Sequence, residues 1–187
     1  SANRGNKFSY LAGFPGAGKT YSAAMVALVL ALVCDQVVLW TAEVNAPLLA
    51  AGRMVSQMML NSAPFLRDTV AFLPGHSEVS RMETMDLVTV SPEQRPEAVP
   101  KLKLAIVTAG SAAATTSSKF YHSFSALQKA HWIFVDEAQG FGSWLFAQVF
   151  LLARHDAVTL MIGDPAQPGA AGQGEELRAC LNSIAAL

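Results

Sequence analysis

The segment GFPGAGKT, residues 13–20, constrains the fold of this chain more than any other stretch. It fits the pattern G-x-x-x-x-G-K-[ST], and it lies between a run that favours a strand and a run that favours a helix. Its glycines let the backbone turn so tightly that several N–H groups point into one hollow, and the N-terminus of the next helix adds partial positive charge. The segment therefore predicts a phosphate-binding loop.

The polar residues of this loop suit a nucleoside triphosphate. Lys19 is expected to neutralise the β and γ phosphates, and Thr20 to ligate Mg²⁺. The weaker alternative is a glycine-rich turn that only begins a helix. The predicted nucleotide contacts are Gly13, Pro15, Gly16, Ala17, Gly18, Lys19, Thr20 and Tyr21.

Short apolar runs recur along the chain, and each is followed by a stretch compatible with a helix. These runs do not alternate between apolar and polar residues, which is typical of strands buried on both faces. They therefore predict an α/β fold with a parallel sheet in three layers. Three prolines in residues 90–100 predict a surface loop between the two halves of the sheet, and residues 174–187 predict a closing helix. The predicted strands are residues 7–12, 37–41, 69–73, 104–109, 132–137 and 157–162.

Length and composition indicate one domain with a surface poor in charge. The chain has 187 residues, and 14% of them are charged against about 25% in average soluble domains. Either the fold is unusually well covered, or part of its surface is an interface. The net charge of -1 supplies no electrostatic argument for nucleic acid or an anionic membrane. The longest apolar run, residues 23–34, is shorter than the roughly 20 residues of a membrane span, so we expect an intracellular protein without a membrane partner.

A second motif is WIFVDEAQ, residues 132–139, in which an apolar strand ends in two acids. A carboxylate at the end of a buried strand is costly unless a cation accompanies it, and nucleotide-bound Mg²⁺ is the expected cation for Asp136. Glu137 is placed to accept a proton from the attacking water as a general base. The alternative is that both acids cap the following helix.

A third motif is MIGDPAQP, residues 161–168, which again follows an apolar strand. Alone it would indicate an ordinary turn. Its acid, Asp164, stands 28 positions after Asp136 (164 minus 136), and the order of the three motifs is more specific than any one of them.

With these three motifs the sequence resembles the superfamily 1 helicases, in which GFPGAGKT is similar to motif I, VDEAQ to motif II and GDPAQ to motif III. Residues 37–50 and 104–114 are similar to motifs Ia and Ic of the branch that contains the nonsense-mediated-decay helicase. The resemblance implies a RecA-like ATPase domain that uses ATP or another NTP with Mg²⁺ and moves along single-stranded RNA or DNA. It implies that Gln139 and Gln167 sense the γ-phosphate. The implied nucleic-acid contacts are Thr41, Asn45, Thr108 and Ser111.

Helicases of this kind have two RecA-like domains, and the second supplies arginines to the γ-phosphate. We expect residues 1–187 to form the first domain only, with the second lying outside this chain.

Two other functions are compatible with the motifs. One is a nucleotide-binding interaction module without motor activity, in which Glu137 has no need to act as a base. The other is a phage-assembly type ATPase, which would leave GDPAQ unexplained. A regulatory GTPase is poorly supported, because no N-K-x-D segment follows the phosphate-binding loop.

Overall fold

The protein is described by a computed structural model, and the description covers residues 7–73, 88–90, 94–113, 128–142, 145, 147, 149, 153–154, 156–164 and 166–167. Seven strands in this part of the chain form one sheet, and every pairing between neighbouring strands is parallel. Their order across the sheet is β1-β7-β6-β2-β5-β3-β4. The strands are β1 (Lys7–Ala12), β2 (Val38–Ala42), β3 (Val70–Leu73), β4 (Val88–Thr89), β5 (Leu104–Thr108), β6 (Trp132–Val135) and β7 (Val158–Gly163).

The helices that join these strands differ widely in length. The longer ones follow β1 and β2, and helix α1 continues directly into a π-helical turn. In the described part of the chain, the α-helices with defined bounds are α1 (Lys19–Leu28), α2 (Asn45–Ser62), α3 (Arg95–Ala98) and α4 (Ala109–Ala113). The π-helical turn is Val29–Val33, and the 3-10 turns are Pro64–Thr69, Val99–Lys101 and Ala138–Gly140.

Apolar side chains cover both faces of the sheet. On one face, α1 and α2 pack over strand residues such as Trp40, Phe72 and Phe134. On the other face, α4 packs with Val107 and Val135. The strands are therefore buried on both sides, as their unbroken apolar sequences predict. The structure confirms the three-layer α/β fold with a RecA-like parallel sheet.

The proline-rich segment departs from its prediction as a surface loop. It contains helix α3 and the 3-10 turn Val99–Lys101, and the Val99 side chain is buried. Pro96 is the second residue of α3 and Pro100 the second of the turn, where the missing N–H removes no helical hydrogen bond. The prolines begin these short helices, and the prediction of an irregular loop is wrong for residues 95–101.

The predicted closing helix, residues 174–187, lies outside the described residues. Among the helices that the structure describes, none has both the length and the hydropathy needed to cross a membrane.

Candidate functional site

The three motifs meet at one edge of the sheet because their strands are neighbours. Strands β1, β7 and β6 lie side by side and run in the same direction, so the segments that follow them emerge together. The Gly13 N–H donates to the Gly163 carbonyl oxygen at 3.3 Å, and the Asp136 N–H to the Thr41 carbonyl oxygen at 2.8 Å. The carboxyl edge of the sheet is the usual ligand-binding edge of open α/β folds.

The glycine-rich loop has the backbone that the motif requires. Gly16 has φ 79° and Gly18 has φ 77°, values that glycine adopts without steric cost. Helix α1 begins directly after Gly18, and the Ser22 N–H donates to the Gly18 carbonyl oxygen at 2.9 Å. Helix α1 therefore directs its N-terminal partial charge toward the loop.

Lys19 lies across the loop. Its Nζ donates to the Gly13 carbonyl oxygen at 2.5 Å and to the Phe14 carbonyl oxygen at 3.0 Å. Residues 15–18 are exposed, while Gly13, Lys19 and Thr20 are half-buried. The loop is thus open to a ligand, and the Lys19 ammonium group lies beside the loop.

Asp136 places a carboxyl group inside the protein at the end of β6, where only 3% of the residue is exposed. Its Oδ1 accepts a hydrogen bond from the Glu137 N–H at 3.1 Å, and its Oδ2 accepts one from Trp40 Nε1 at 3.2 Å. Burial raises the pKa of Asp136 to about 6, and the charge of Glu137 adds to the rise, whereas the Trp40 hydrogen bond and the Lys19 charge oppose it.

The surroundings of Asp136 fit a divalent cation. Among the described residues, no basic side chain forms an ion pair with this carboxyl group. Mg²⁺ prefers oxygen ligands, and a cation would offset the cost of the buried charge. Thr20 could supply a hydroxyl oxygen from the first turn of α1.

Glu137 has an unusual backbone conformation for a residue with a side chain. Its φ of 49° lies in the left-handed region, and it caps the 3-10 turn Ala138–Gly140. Such conformations cost about 1 kcal/mol or more and persist only where the surrounding structure holds them. The Glu137 carboxylate accepts a hydrogen bond from Gln139 Nε2.

Gln139 connects the second motif to the third. Its Nε2 also donates to Gln167 Oε1 at 3.4 Å, and its Oε1 accepts from the Asp164 N–H at 3.2 Å. A Cβ atom added to Gly163 would lie 2.2 Å from Gln139 Oε1, so glycine leaves the room for this contact. The structure therefore brings together Gln139 and Gln167, the two glutamines predicted to act at the γ-phosphate.

Trp40 and Tyr10 belong to the site but were not predicted from the sequence. The Tyr10 hydroxyl is buried and has no hydrogen-bond partner among the described residues. Burial raises the pKa of Tyr10, and the charges of Asp164 and Glu137 raise it further. Both residues are aromatic, carry a polar group and lie in strands predicted to be buried. Because a buried N–H or O–H needs a hydrogen-bond partner, this pattern is the sequence signal that could have identified them.

The residues predicted to touch nucleic acid lie at the ends of the adjacent strands β2 and β5. Asn45 begins α2 and is half-buried, and the Thr108 hydroxyl accepts the Ser111 N–H at 3.3 Å, which caps α4. Thr41 is fully buried, and among the described residues its hydroxyl has no partner. The Thr41 side chain points into the protein, and its contact with nucleic acid stays a prediction.

The family comparison agrees with this geometry. Residues 1–186 match the family described as AAA domain. The chain belongs to this family. For this AAA domain, the family and the loop geometry together support nucleotide binding and hydrolysis. No curated protein matches the chain.

Two solved structures are similar to this AAA domain. The helicase nonstructural protein 10 of an arterivirus has a TM-score of 0.52 at 15% identity, with 95% of this chain and 33% of that chain covered. The C-terminal part of the Fun30 ATPase domain has a TM-score of 0.48 at 11% identity, with 91% of this chain and 46% of that chain covered. This AAA domain thus spans less than half of each of those chains.

Proposed function

We propose that the protein is the first motor domain of a superfamily 1 helicase, which couples hydrolysis of ATP or another NTP to movement along RNA or DNA. The observation that carries the proposal is the meeting of three segments at one sheet edge. There the glycine-rich loop is bonded to Gly163, and Gln139 joins Glu137 to Gln167. A simple nucleotide-binding module has no need of the second and third segments.

The loop is proposed to hold the triphosphate. Backbone N–H groups of the exposed loop would bind the phosphate oxygens, and Lys19 would exchange its two carbonyl partners for the β and γ phosphates. The Tyr21 side chain is exposed beside the loop and is proposed to contact the nucleotide. The proposed nucleotide contacts are Gly13, Pro15, Gly16, Ala17, Gly18, Lys19, Thr20 and Tyr21.

Thr20 and Asp136 are proposed to hold Mg²⁺, Thr20 directly and Asp136 through water. When bound, the metal neutralises charge on the phosphate oxygens. Asp136 suits this role because its carboxylate is buried and held by two donors, without an ion pair to any described residue. A rigid carboxylate of this kind presents its remaining lone pairs in one direction.

Glu137 is proposed as the general base that takes a proton from the water attacking the γ-phosphorus. The Gln139 amide donates a hydrogen bond to the Glu137 carboxylate and also reaches Gln167, so Gln139 orients the proposed base. When a γ-phosphate enters, Gln139 and Gln167 are proposed to turn their amides toward it. Release of Glu137 from Gln139 would then depend on the nucleotide.

Single-stranded RNA or DNA is the proposed second ligand. Asn45, Thr108 and Ser111 lie at the ends of β2 and β5, where an amide, a hydroxyl and main-chain groups can meet a sugar–phosphate backbone. Contacts of this type need no basic surface, which agrees with the net charge of -1. Thr41, in β2, belongs to the same proposed set, with its side chain buried.

A second RecA-like domain is the proposed protein partner. It would supply arginine to the γ-phosphate, a contribution worth about 10³ to 10⁵ in rate in related phosphoryl-transfer systems. We therefore expect residues 1–187 alone to bind Mg-NTP weakly and to hydrolyse it slowly.

The proposed roles are tested by two substitutions in the 187-residue chain, measured with a fluorescent ATP analogue and by single-turnover phosphate release. Lys19→Ala is expected to abolish nucleotide binding, because it removes the charge beside the loop. Glu137→Gln is expected to keep binding and to slow hydrolysis by about 10² to 10⁴. Lys101→Ala, which changes an exposed lysine in a 3-10 turn, is the control and should alter neither.

The result that would contradict these roles is rapid turnover that survives either substitution. If Glu137→Gln left hydrolysis unchanged while Lys19→Ala abolished binding, the loop assignment would stand and the general base would be another group.

A further inference from the structure

Trp40 is a wholly buried tryptophan whose ring nitrogen bonds to a carboxylate. The residue has 0% exposure in the middle of β2, and its Nε1 donates to Asp136 Oδ2 at 3.2 Å. In the register of the sheet, Trp40 faces Phe134 on β6, and Asp136 stands two residues farther along the same chain. The indole thus reaches diagonally across the strand pair to the carboxyl edge, a distance that large side chains span.

The position of the indole is fixed by packing. Its ring centroid lies 5.5 Å from that of Phe134, at an interplanar angle of 49°. Trp40 belongs to the core cluster that includes α1 and α2. A buried N–H without a partner loses its hydration without compensation, so the bond to Asp136 also stabilises the indole in this position.

The two carboxylate oxygens of Asp136 are held from different directions. The Glu137 N–H holds Oδ1 from the same chain segment, and the Trp40 N–H holds Oδ2 from the neighbouring strand. With both oxygens bonded, rotation of the carboxylate would break at least one hydrogen bond. Loss of a group that orients a metal ligand in this way typically lowers metal affinity by about 10- to 100-fold.

We propose that Trp40 is a positioning residue for the metal site, and that it acts on Mg²⁺ through Asp136 without touching the metal or the nucleotide. This inference rests on the proposed role of Asp136. Trp40 supplies a hydrogen-bond donor that a phenylalanine or leucine of similar packing would not supply. The strand that leads to Asn45 therefore has a part in nucleotide chemistry besides its part in the core.

The chain offers a matched pair of substitutions for the test. Trp40→Phe removes the N–H bonded to Asp136 and keeps an aromatic ring beside Phe134. Trp132→Phe removes an indole N–H from the same aromatic cluster, since Trp132 also packs against Phe134, with ring centroids 6.5 Å apart. The Trp132 N–H donates instead to Gln36 Oε1, at the other end of β6.

The measurement is the Mg²⁺ concentration needed for half-maximal binding of a fluorescent ADP, with the affinity in EDTA as reference. Trp40→Phe is expected to raise that Mg²⁺ concentration by about 10- to 100-fold and to leave the EDTA affinity unchanged. Trp132→Phe is expected to change neither value. If Trp40 had a merely structural role, Trp40→Phe would weaken ADP binding in EDTA as well as in Mg²⁺.

Each outcome separates this inference from the proposed function. If Mg²⁺ does not strengthen binding to the unaltered protein, the proposed metal site fails. If Mg²⁺ does strengthen it and Trp40→Phe behaves like Trp132→Phe, the positioning role is overturned. In the background Asp136→Asn, Trp40→Phe should add no further loss, and an additive loss would also overturn the role.

A measurement on unaltered Trp40 covers the case in which Trp40→Phe does not fold. The indole N–H resonance of Trp40 is expected to shift when Mg-ADP is added to the folded protein, while that of Trp132 stays in place. If the Trp40 resonance does not shift at saturating Mg-ADP, the inference is overturned.

Discussion

Asp136 is almost fully buried at the end of β6, and burial raises its pKa from 3.8 to about 6. A folded-state pKa above the unfolded value means that the group favours folding most below about pH 4, and that this contribution is lost as pH rises through about 6. At pH 8 without metal, the ionised carboxylate therefore costs up to about 3 kcal/mol of stability. The site keeps a destabilising charge where the proposed function needs one.

The stability of Asp136→Asn tests this cost. In EDTA, the free energy of unfolding of the variant relative to the unaltered protein should rise by about 2 to 3 kcal/mol between pH 4 and pH 8. The amide loses a hydrogen bond at both pH values, so the free energy of that bond cancels when the two pH values are compared. Urea unfolding measures the difference, and Asp68→Asn, at an exposed position, is the control. A difference that does not change with pH would contradict the burial cost.

Single residues also show what the sequence could and could not predict. Lys19, Asp136 and Gln139 could be found because each stands at a fixed place in a short motif. The Trp40–Asp136 bond joins residues 96 positions apart, and it depends on the register of β2 against β6, which no local pattern specifies. The burial of the Thr41 side chain was not predicted, because it depends on which face of β2 each side chain occupies.

Strand β7 and the 3-10 turn after β6 form a structural unit through Gly163 and Gln139. The Gln139 side chain occupies the space that a Cβ of residue 163 would fill, and the Tyr10 hydroxyl lies 3.3 Å from the same point. This close approach lets the Asp164 N–H bond to Gln139. The geometry of the second and third motifs thus depends on residue 163 being glycine.

Gly163→Ala is expected to displace Gln139 and to lower the hydrolysis rate by about 10-fold or more, because the contacts of Gln139 to Glu137 and Gln167 both change. Nucleotide affinity should change much less, since the loop keeps its backbone. Gly140→Ala is the matched control, because a Cβ there meets nothing within 4 Å. Equal hydrolysis rates for the two variants would show that the Gln139 contacts do not matter to catalysis.

At the scale of whole elements, the apolar runs predicted six strands, and the structure contains all six to within one or two residues at their ends. Each run is mostly apolar along its length, because the strand is buried on both faces, and this makes it recognisable in the sequence. Strand β4 was missed because Val88–Thr89 is too short to form a pattern. The proline-rich segment was misread because a proline in a first turn favours a helix start as readily as a loop.

The molecule as a whole leaves apolar side chains uncovered along one helix. In the described part of the chain, α1 and its π-helical extension expose an apolar stripe beside the nucleotide loop. The stripe consists of Tyr21, Met25, Val26, Val29 and Val33, of which Val33 is 77% exposed. This agrees with a surface poor in charge, since 14% of the residues are charged.

The proposed motor requires that nucleotide and nucleic acid affect one another. Glu137 is held by Gln139 just after β6. Asn45 follows the adjacent strand β2, and Thr108 ends β5, two strands from β6 at the same edge of the sheet. If a strand of RNA or DNA binds there and a second RecA-like domain closes over the nucleotide, hydrolysis should accelerate. Nucleotide binding alone does not distinguish a motor from an interaction module.

The most direct test is the steady-state rate of ATP hydrolysis by the protein at its full natural length, with single-stranded RNA, with single-stranded DNA and with neither. We predict that at least one nucleic acid raises the rate and that Lys19→Ala abolishes the rate under all three conditions. Equal rates under the three conditions, all lost in Lys19→Ala, would confirm an ATPase and contradict a nucleic-acid motor.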